Sequence, residues 1–506
     1  MSEHAHLLPG SDAPDLLAWG SLPVAWVELW RGRPDHPVVR DPDGTWLTAG
    51  ELDGHTERVA GRLAAAGVRR GDRVLLSGAA STDLVVAHCA ALRAGYVVVP
   101  VNASYSRREL EVIVADARPR AAVIEGDELR TWAAELAPGI VTTGVDVDLP
   151  EGSHPELDLI GPDDPALLPY TSGTTGTPKG ALLSHGNLLA SAEAVRLAWR
   201  WTPEDRLVLC LPLFHVHGLG VGLHGTLLAG ASAVLQAGFD AEAVLSAAAN
   251  DGATMFFGVP TMYARLAEAP GAERLAGLRL CVSGSAPLSA ALHARIAERC
   301  GQTVLERYGM TETLMLVSNP YDGERRAGTV GLPLPGVEVR LDESGTGSDA
   351  GPGAATGEIL VRGPNVFAGY WERPDATAAA FTDDGWFRTG DIGALDDEGY
   401  LRIVGRAKEL IITGGYNVYP REIEDVLRSH PTVRDVAVVG TPSDEWGEVV
   451  TAYVEAEEGF DAEALLAWAA GRLAPYKRPR IVHRVGELPR NKLGKVVRAE
   501  LRPLRS

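Results

Sequence analysis

What is scarce in this chain narrows its chemistry first. Only four cysteines occur, Cys89, Cys210, Cys281 and Cys300, and they are widely spaced. There is no C-x-x-C pair and no zinc-ligand spacing, which argues against a disulfide scaffold or a structural zinc site and for buried thiols in a reducing cytoplasm. No apolar run is long enough to span a bilayer, and no signal-peptide pattern is present. Positive charge is also short. The formal net charge is −20, which argues against a nucleic-acid or anionic-membrane surface. An anionic substrate must therefore find a few locally placed cations.

Lysine is the rarest cation. Of 47 lysines and arginines only Lys179, Lys408, Lys477, Lys492 and Lys495 are lysine. Where arginine serves almost everywhere, a retained lysine points to a need for a compact ammonium. Lys179, Lys408 and Lys495 each sit in a recognisable pattern, which singles them out.

The rest of the composition is that of a globular protein, 45% hydrophobic and 23% charged over 506 residues. That length exceeds what one core usually supports, so at least two domains are expected. From Val24 to Arg120, helical patterns alternate with apolar strands such as Val74–Ser77, Tyr96–Pro100 and Ala121–Ile124. This order predicts an α/β fold with a mostly parallel sheet. Thr48 with Glu51 three residues later predicts a capped helix start. Met1 to Pro14 reads as a frayed terminus, and Pro138 to Asp164 as a surface connector.

The stretch Tyr170-Thr171-Ser172-Gly173-Thr174-Thr175-Gly176-Thr177-Pro178-Lys179-Gly180 has the composition of a phosphate cradle. Glycines let backbone N–H groups approach an anion, hydroxyls add donors and the lysine adds charge. It is not a Walker A loop, because Thr177 and Pro178 separate Gly176 from Lys179. The flanking apolar runs predict a loop between two short strands. Four further stretches stand out: Leu209 to Leu219 with His215 and His217, expected on one face of a strand; Phe256 to Leu266 with Arg265; Leu280 to Leu288; and Glu306-Arg307-Tyr308-Gly309-Met310-Thr311-Glu312. Later come Thr389-Gly390-Asp391, Arg406, Lys408, Gly414-Gly415-Tyr416 and Asn491-Lys492-Leu493-Gly494-Lys495.

Together, in this order, these motifs resemble the adenylate-forming superfamily of acyl-CoA synthetases, peptide-synthetase adenylation domains and firefly-type luciferases, over essentially the whole chain. The resemblance implies a large multi-subdomain N-terminal adenylation domain, residues 1–405, a hinge at 406–410 containing Lys408, and a small mobile α+β C-terminal domain, 411–506. It implies ATP, Mg²⁺ and coenzyme A as reactants or cofactor, and small-molecule partners only, with the protein a monomer or homodimer. Thr171, Ser172, Gly173, Thr174, Thr175, Gly176, Lys179, Ser285, Ala286, Pro287, Glu306, Arg307, Tyr308, Gly309, Met310, Thr311, Asp391 and Arg406 would hold ATP or AMP. Glu312 would hold the metal. Lys495, Thr311, Glu312 and His215 would serve catalysis, and Gly414, Gly415 and Tyr416 would line the coenzyme A path.

For the acid, His217, Arg265, Ser285 and Met310 are the candidates. A buried unpaired arginine in a pocket for an apolar acid would be costly. A dicarboxylate supplies the missing partner, and the details H-V-H-G, P-T-M-Y-x-R and S-G-S-A most resemble the malonyl-CoA synthetase branch. Malonate, with methylmalonate as a second acid, is the expected substrate. The alternatives are a short-chain or aryl monocarboxylate, or loading of a separate carrier protein.

Overall fold

The computed structural model describes residues 6–8, 13–152, 155–171, 178–343, 356–413, 416–443, 446–491 and 495–501. Its helix starts follow local chemistry. Thr48 accepts a hydrogen bond from the Glu51 N–H while the Glu51 carboxylate accepts from the Thr48 N–H, opening the helix Ala49–Ala65. Ser106 and Glu109 repeat this box before Arg107–Ala117, and Ser81 caps Thr82–Arg93. Each such cap contributes about 1 kcal/mol.

The strands Arg73–Ser77, Val97–Pro100 and Ala121–Ile124 pair in parallel, Val74 lying opposite both Val98 and Ala121. Their alternation divides the residues between two cores. Val74, Leu76, Val98 and Val123 face one side, and Leu75, Val97, Val99 and Ile124 the other. A sheet buried on both faces explains why these strands are apolar throughout. Val141–Thr143, inside the expected connector, extends this sheet in parallel beside Ala121–Val123. Its three residues are too short for a periodic signal.

A second sheet carries the site. Arg206–Leu209, Ser232–Leu235, Met255–Gly258, Leu280–Ser283 and Leu305–Met310 run parallel, and Leu314–Ser318 turns back antiparallel to the last of them. The loops leaving the carboxyl ends of such strands form the usual ligand crevice. Phe257 and Phe256 are both fully buried, on opposite faces, each burial stabilising by roughly 1.5–3 kcal/mol.

The expected strand through His215 and His217 is not there. The strand ends at Leu209, and His217–Leu223 forms a π-helix. A Cβ at Gly218 would lie 2.4 Å from the Pro212 carbonyl oxygen, so this wide turn depends on glycine where the chain folds back on itself. The amino-terminal stretch is also tied down in part. His6 is buried, with Nε2 3.1 Å from the Leu332 carbonyl.

A four-stranded antiparallel sheet follows, formed by Glu338–Asp342, Thr356–Arg362, Phe387–Leu395 and Leu401–Arg406. Beyond it the chain builds a separate core from Ile411, Val418, Ile423, Leu427, Val436, Val438 and Val454. There Val433–Ser443 and Gly447–Ala456 pair antiparallel, and Ile481–Val485 joins in parallel. Pro420 occupies the first turn of Pro420–Arg428 as expected.

Candidate active site

The nucleotide side is built by pairing. Tyr170–Thr171 lies antiparallel to Lys179–Ser184, so Thr171 faces Lys179 across the base of the cradle. Residues 172–177, which include Ser172, Gly173, Thr174, Thr175 and Gly176, lie outside the described residues. The Lys179 ammonium sits 5.2 Å from the centre of the Tyr370 ring, and the Tyr370 hydroxyl donates to Glu312 Oε1 at 3.0 Å. Tyr370 is held by antiparallel pairing with Ala181, next to the cradle. It was not among the sequence candidates. Its short strand, Gly369–Tyr370, carries no motif chemistry of its own, and only the fold brings it to Glu312.

Glu312 is buried, and that burial raises its pKa above the ordinary carboxylate range. No cluster of three or more His, Cys, Asp or Glu suited to a metal exists among the described residues. One buried hard carboxylate, destabilised as an anion, fits Mg²⁺ that takes its other ligands from phosphate and water. Gly309 has a steric reason in the same motif. A Cβ there would lie 1.9 Å from the Leu314 carbonyl oxygen.

Asp391 and Arg406 are cross-strand partners. Arg406 Nε lies 3.0 Å from Asp391 Oδ1, and the Tyr308 hydroxyl donates to Asp391 Oδ2 at 2.6 Å. Glu306 is placed differently from the ATP contact expected of it. It is buried, its Oε1 accepts from the Leu288 N–H at 3.0 Å, and burial pushes its pKa up to about 7. It therefore anchors the turn that carries Ala286 and Pro287, both of which are exposed.

On the acid side, His217 is buried and its Nδ1 lies 3.2 Å from Ser285 Oγ. Ser285 has φ 67°, the left-handed region, which aims its hydroxyl off the end of the strand Leu280–Ser283. His215 Nδ1 accepts the His217 N–H at 3.2 Å. Burial keeps both imidazoles neutral, pulling His215 down to about 3, with Lys495 and Arg307 adding repulsion. Met310 is half-buried at the end of its strand. Arg265 departs from expectation. It is exposed, with its guanidinium 4.9 Å from the centre of the Phe239 ring. No hydrogen bond joins it to His217 or Ser285 among the described residues.

Lys495 comes from the far end of the chain, yet its charge acts on His215 and His217. It is solvent-accessible, and the walls around it together with Arg406 still lower its pKa, Asp391 opposing them. Its N–H is held by Asn491 Oδ1 at 3.0 Å. Lys408 lies in the short turn Ala407–Glu409 between the two parts of the chain. Gly414 and Gly415 lie outside the described residues. The backbone at Tyr416 pairs with Thr413. Lys477 has a structural partner, Glu422, at 2.8 Å.

Comparison with known proteins identifies the family. Residues 27–371 match the model of the AMP-binding enzyme family, and 422–495 that of the AMP-binding enzyme C-terminal domain. The chain is 39% identical over 490 residues to a feruloyl-CoA synthase of Amycolatopsis sp, covering 96% of this chain and 98% of the relative. It is 40% identical to the ATP-bound MatB structure from Rhodopseudomonas palustris, with TM-score 0.89 and coverage of 95% and 98%. A malonyl-CoA ligase complex with methylmalonyl-CoA and AMP is 46% identical and covers 90% and 97%, but has TM-score 0.66. The chain belongs to the AMP-binding enzyme family.

Proposed function

We propose that this enzyme, an AMP-forming acid–thiol ligase using ATP, Mg²⁺ and coenzyme A, joins malonate to coenzyme A, with methylmalonate as a second acid. The observation that carries the choice of acid is the buried His217–Ser285 pair at the acid side, whose His217 Nε2 has no hydrogen-bond partner among the described residues. An apolar acid would leave that donor set unmatched, whereas a second carboxylate satisfies it.

In the first step a carboxylate oxygen attacks the α-phosphorus, a P–O bond forms, and pyrophosphate leaves. In the second a thiol sulfur attacks the acyl carbon, and AMP leaves with the electron pair of the broken C–O bond. Asp391 would take the ribose hydroxyls, with Tyr308 and Arg406 fixing its orientation. The cradle from Thr171 to Lys179, Thr311 and the Lys495 ammonium would offset charge as the α-phosphorus becomes five-coordinate. Glu312, oriented by Tyr370, would hold Mg²⁺, which supplies charge neutralisation on the phosphates. His215, neutral beside Lys495, would border the reacting carboxylate.

Residues 1–405 act as the adenylation domain, 406–410 as a hinge around Lys408, and 411–506 as a lid. Rotation of the lid would withdraw Lys495 and bring Gly414, Gly415 and Tyr416 to the thiol path, so that one site serves both steps. Arg265 would leave the Phe239 ring to meet the free carboxylate at the outer side. The four buried thiols suit a cytoplasmic enzyme, acting as a monomer or homodimer. The test is pyrophosphate release with ATP and Mg²⁺ across malonate, methylmalonate, succinate, acetate, butyrate, benzoate and 4-coumarate. Turnover is expected with malonate and methylmalonate and to fall at least tenfold with Arg265→Ala. Preference for an aryl acid, as the feruloyl-CoA synthase relative uses, would retain the ligase and discard the dicarboxylate.

A further inference from the structure

Asp116 stands in an awkward place for a carboxylate. It lies in the last turn of the helix Arg107–Ala117, where unsatisfied carbonyls disfavour negative charge, and that turn carries no basic residue. Its side chain is only 12% exposed. What offsets the cost comes from far along the chain. The Tyr170 hydroxyl donates to Asp116 Oδ2 at 2.8 Å, and the Arg373 guanidinium donates to Oδ1. The Trp371 Nε1–H donates to the Asp116 carbonyl at 3.3 Å, and Glu372 pairs with Arg118. Three consecutive side chains, Trp371, Glu372 and Arg373, are fastened to one helix end.

Both segments tied there lead to the phosphates. Tyr170 opens the cradle and pairs with Gly180 on the returning strand Lys179–Ser184. A Cβ at Gly180 would lie 2.8 Å from Leu168 Cδ1 and 3.2 Å from Tyr170 Cζ, so glycine leaves room for the ring to reach across to Asp116. Along the opposite edge of the same strand Tyr370 pairs with Ala181, and the Trp371 N–H donates to the Gly180 carbonyl at 2.8 Å. Tyr370 then donates to Glu312 and sets its ring beside Lys179. One carboxylate closes over both edges of the strand that begins at Lys179, with one oxygen for each. Burial and the Asp116 charge push the Tyr170 phenol above its ordinary pKa, so it stays a donor at neutral pH.

We propose that Asp116 is a positioning residue for the triphosphate, holding the first residue of the cradle and the Tyr370 arm in one register so that the cradle and Glu312 meet the same phosphates. This rests on the reading of Thr171 to Lys179 as the cradle and of Glu312 as the Mg²⁺ carboxylate. It acts through Tyr170 on one side and through Arg373 and Tyr370 on the other, and touches no substrate itself.

The test compares Asp116→Asn, Tyr170→Phe and Arg373→Met with wild type. Calorimetry gives the affinity for ATP with Mg²⁺ and, separately, for AMP, both without acid. Pyrophosphate release gives the Mg²⁺ concentration for half-maximal rate. Asp116→Asn keeps the shape and removes the charge that both partners share, and Tyr170→Phe removes one hydroxyl. Each should weaken ATP binding roughly 3- to 10-fold. AMP lacks the two outer phosphates and draws its hold from Asp391 and Tyr308, so its affinity should stay at the wild-type value. Arg373→Met should raise the Mg²⁺ requirement, yet add nothing to that of Tyr370→Phe, because Arg373 reaches Glu312 only through Tyr370. Equal losses for ATP and AMP would make Asp116 a support of the fold alone and overturn the proposal. So would unchanged ATP binding in both Asp116→Asn and Tyr170→Phe, or additive effects of Arg373→Met and Tyr370→Phe. If Lys179→Ala and Glu312→Gln also left ATP binding unchanged, the cradle reading itself would fall. A loss in those two, with none in the Asp116 and Tyr170 variants, would remove only this assignment.

Discussion

The two halves of the active site treat charge in opposite ways. On the nucleotide side the key groups are already paired. Asp391 is held by Tyr308 and Arg406, and Glu312 by Tyr370. On the acid side His217 Nε2 and two nitrogens of Arg307 have no partner among the described residues. A paired carboxylate is pre-oriented and binds with little reorganisation. An unpaired cation raises the energy of the empty site and so makes binding conditional on the ligand that completes it. On the proposed assignment, the nucleotide half would serve affinity and the acid half discrimination.

Lys495 tests the contrast most severely, because on the proposed assignment it is contributed by the C-terminal part of the chain and its charge also reaches His215 and His217. Lys495→Ala should reduce acid-dependent pyrophosphate release by about 100-fold or more. Thioester formation from a supplied acyl-adenylate should persist, since no charge then builds at phosphorus. Equal loss in both half-reactions would show that Lys495 supports the folded site rather than the first step.

Tyr370→Phe sharpens the nucleotide side. It removes only the hydroxyl that donates to Glu312 and leaves the ring beneath Lys179. The Mg²⁺ concentration for half-maximal rate should rise about tenfold. The relative rates on malonate and butyrate should stay as they are. A change in acid preference would contradict the division of labour between the halves.

Much of this site is legible in the sequence, and the reasons it is so, or is not, are physical. Motifs whose partners lie close along the chain read well. Thr48 and Glu51, Pro420, and the antiparallel strands around the cradle all fall where local rules place them. Asp391 and Arg406 are readable because a hairpin brings them into register. Tyr370 is not legible in the sequence because its pairing partner Ala181 lies 189 residues away along the chain. The strand expected through His215 and His217 stops at Leu209, and the chain winds into the π-helix His217–Leu223 instead, because a spacing of two between histidines does not by itself distinguish a strand from a wide turn. Arg265 and Arg307 show the deeper limit. Sequence distinguishes an arginine from a lysine, but only packing reveals that the first is exposed on Phe239 while the second is buried against Gly284.

Glu306 and Arg307 are neighbours that face opposite ways, and the smallest expected effect separates them. Glu306 is a buried carboxyl whose pKa is raised from 4.5 to about 7 by burial, with Arg421 lowering and Asp425 raising it. Between those values the folded protein holds a proton that the unfolded chain releases. Stability therefore falls as pH rises through this window and levels off above it, by roughly 1.4 kcal/mol for each pH unit within it. Glu306→Gln keeps an acceptor for the Leu288 N–H and abolishes the titration. Its unfolding midpoint in denaturant should match wild type near pH 4.5, exceed it increasingly up to about pH 7, and exceed it by a constant amount above that. Acid selectivity should be unchanged, because this side chain serves the turn and not the pocket. A stability difference independent of pH would mean that Glu306 is ionised in the fold, balanced by Arg421, and that the strand separates two charged faces instead of one neutral and one cationic.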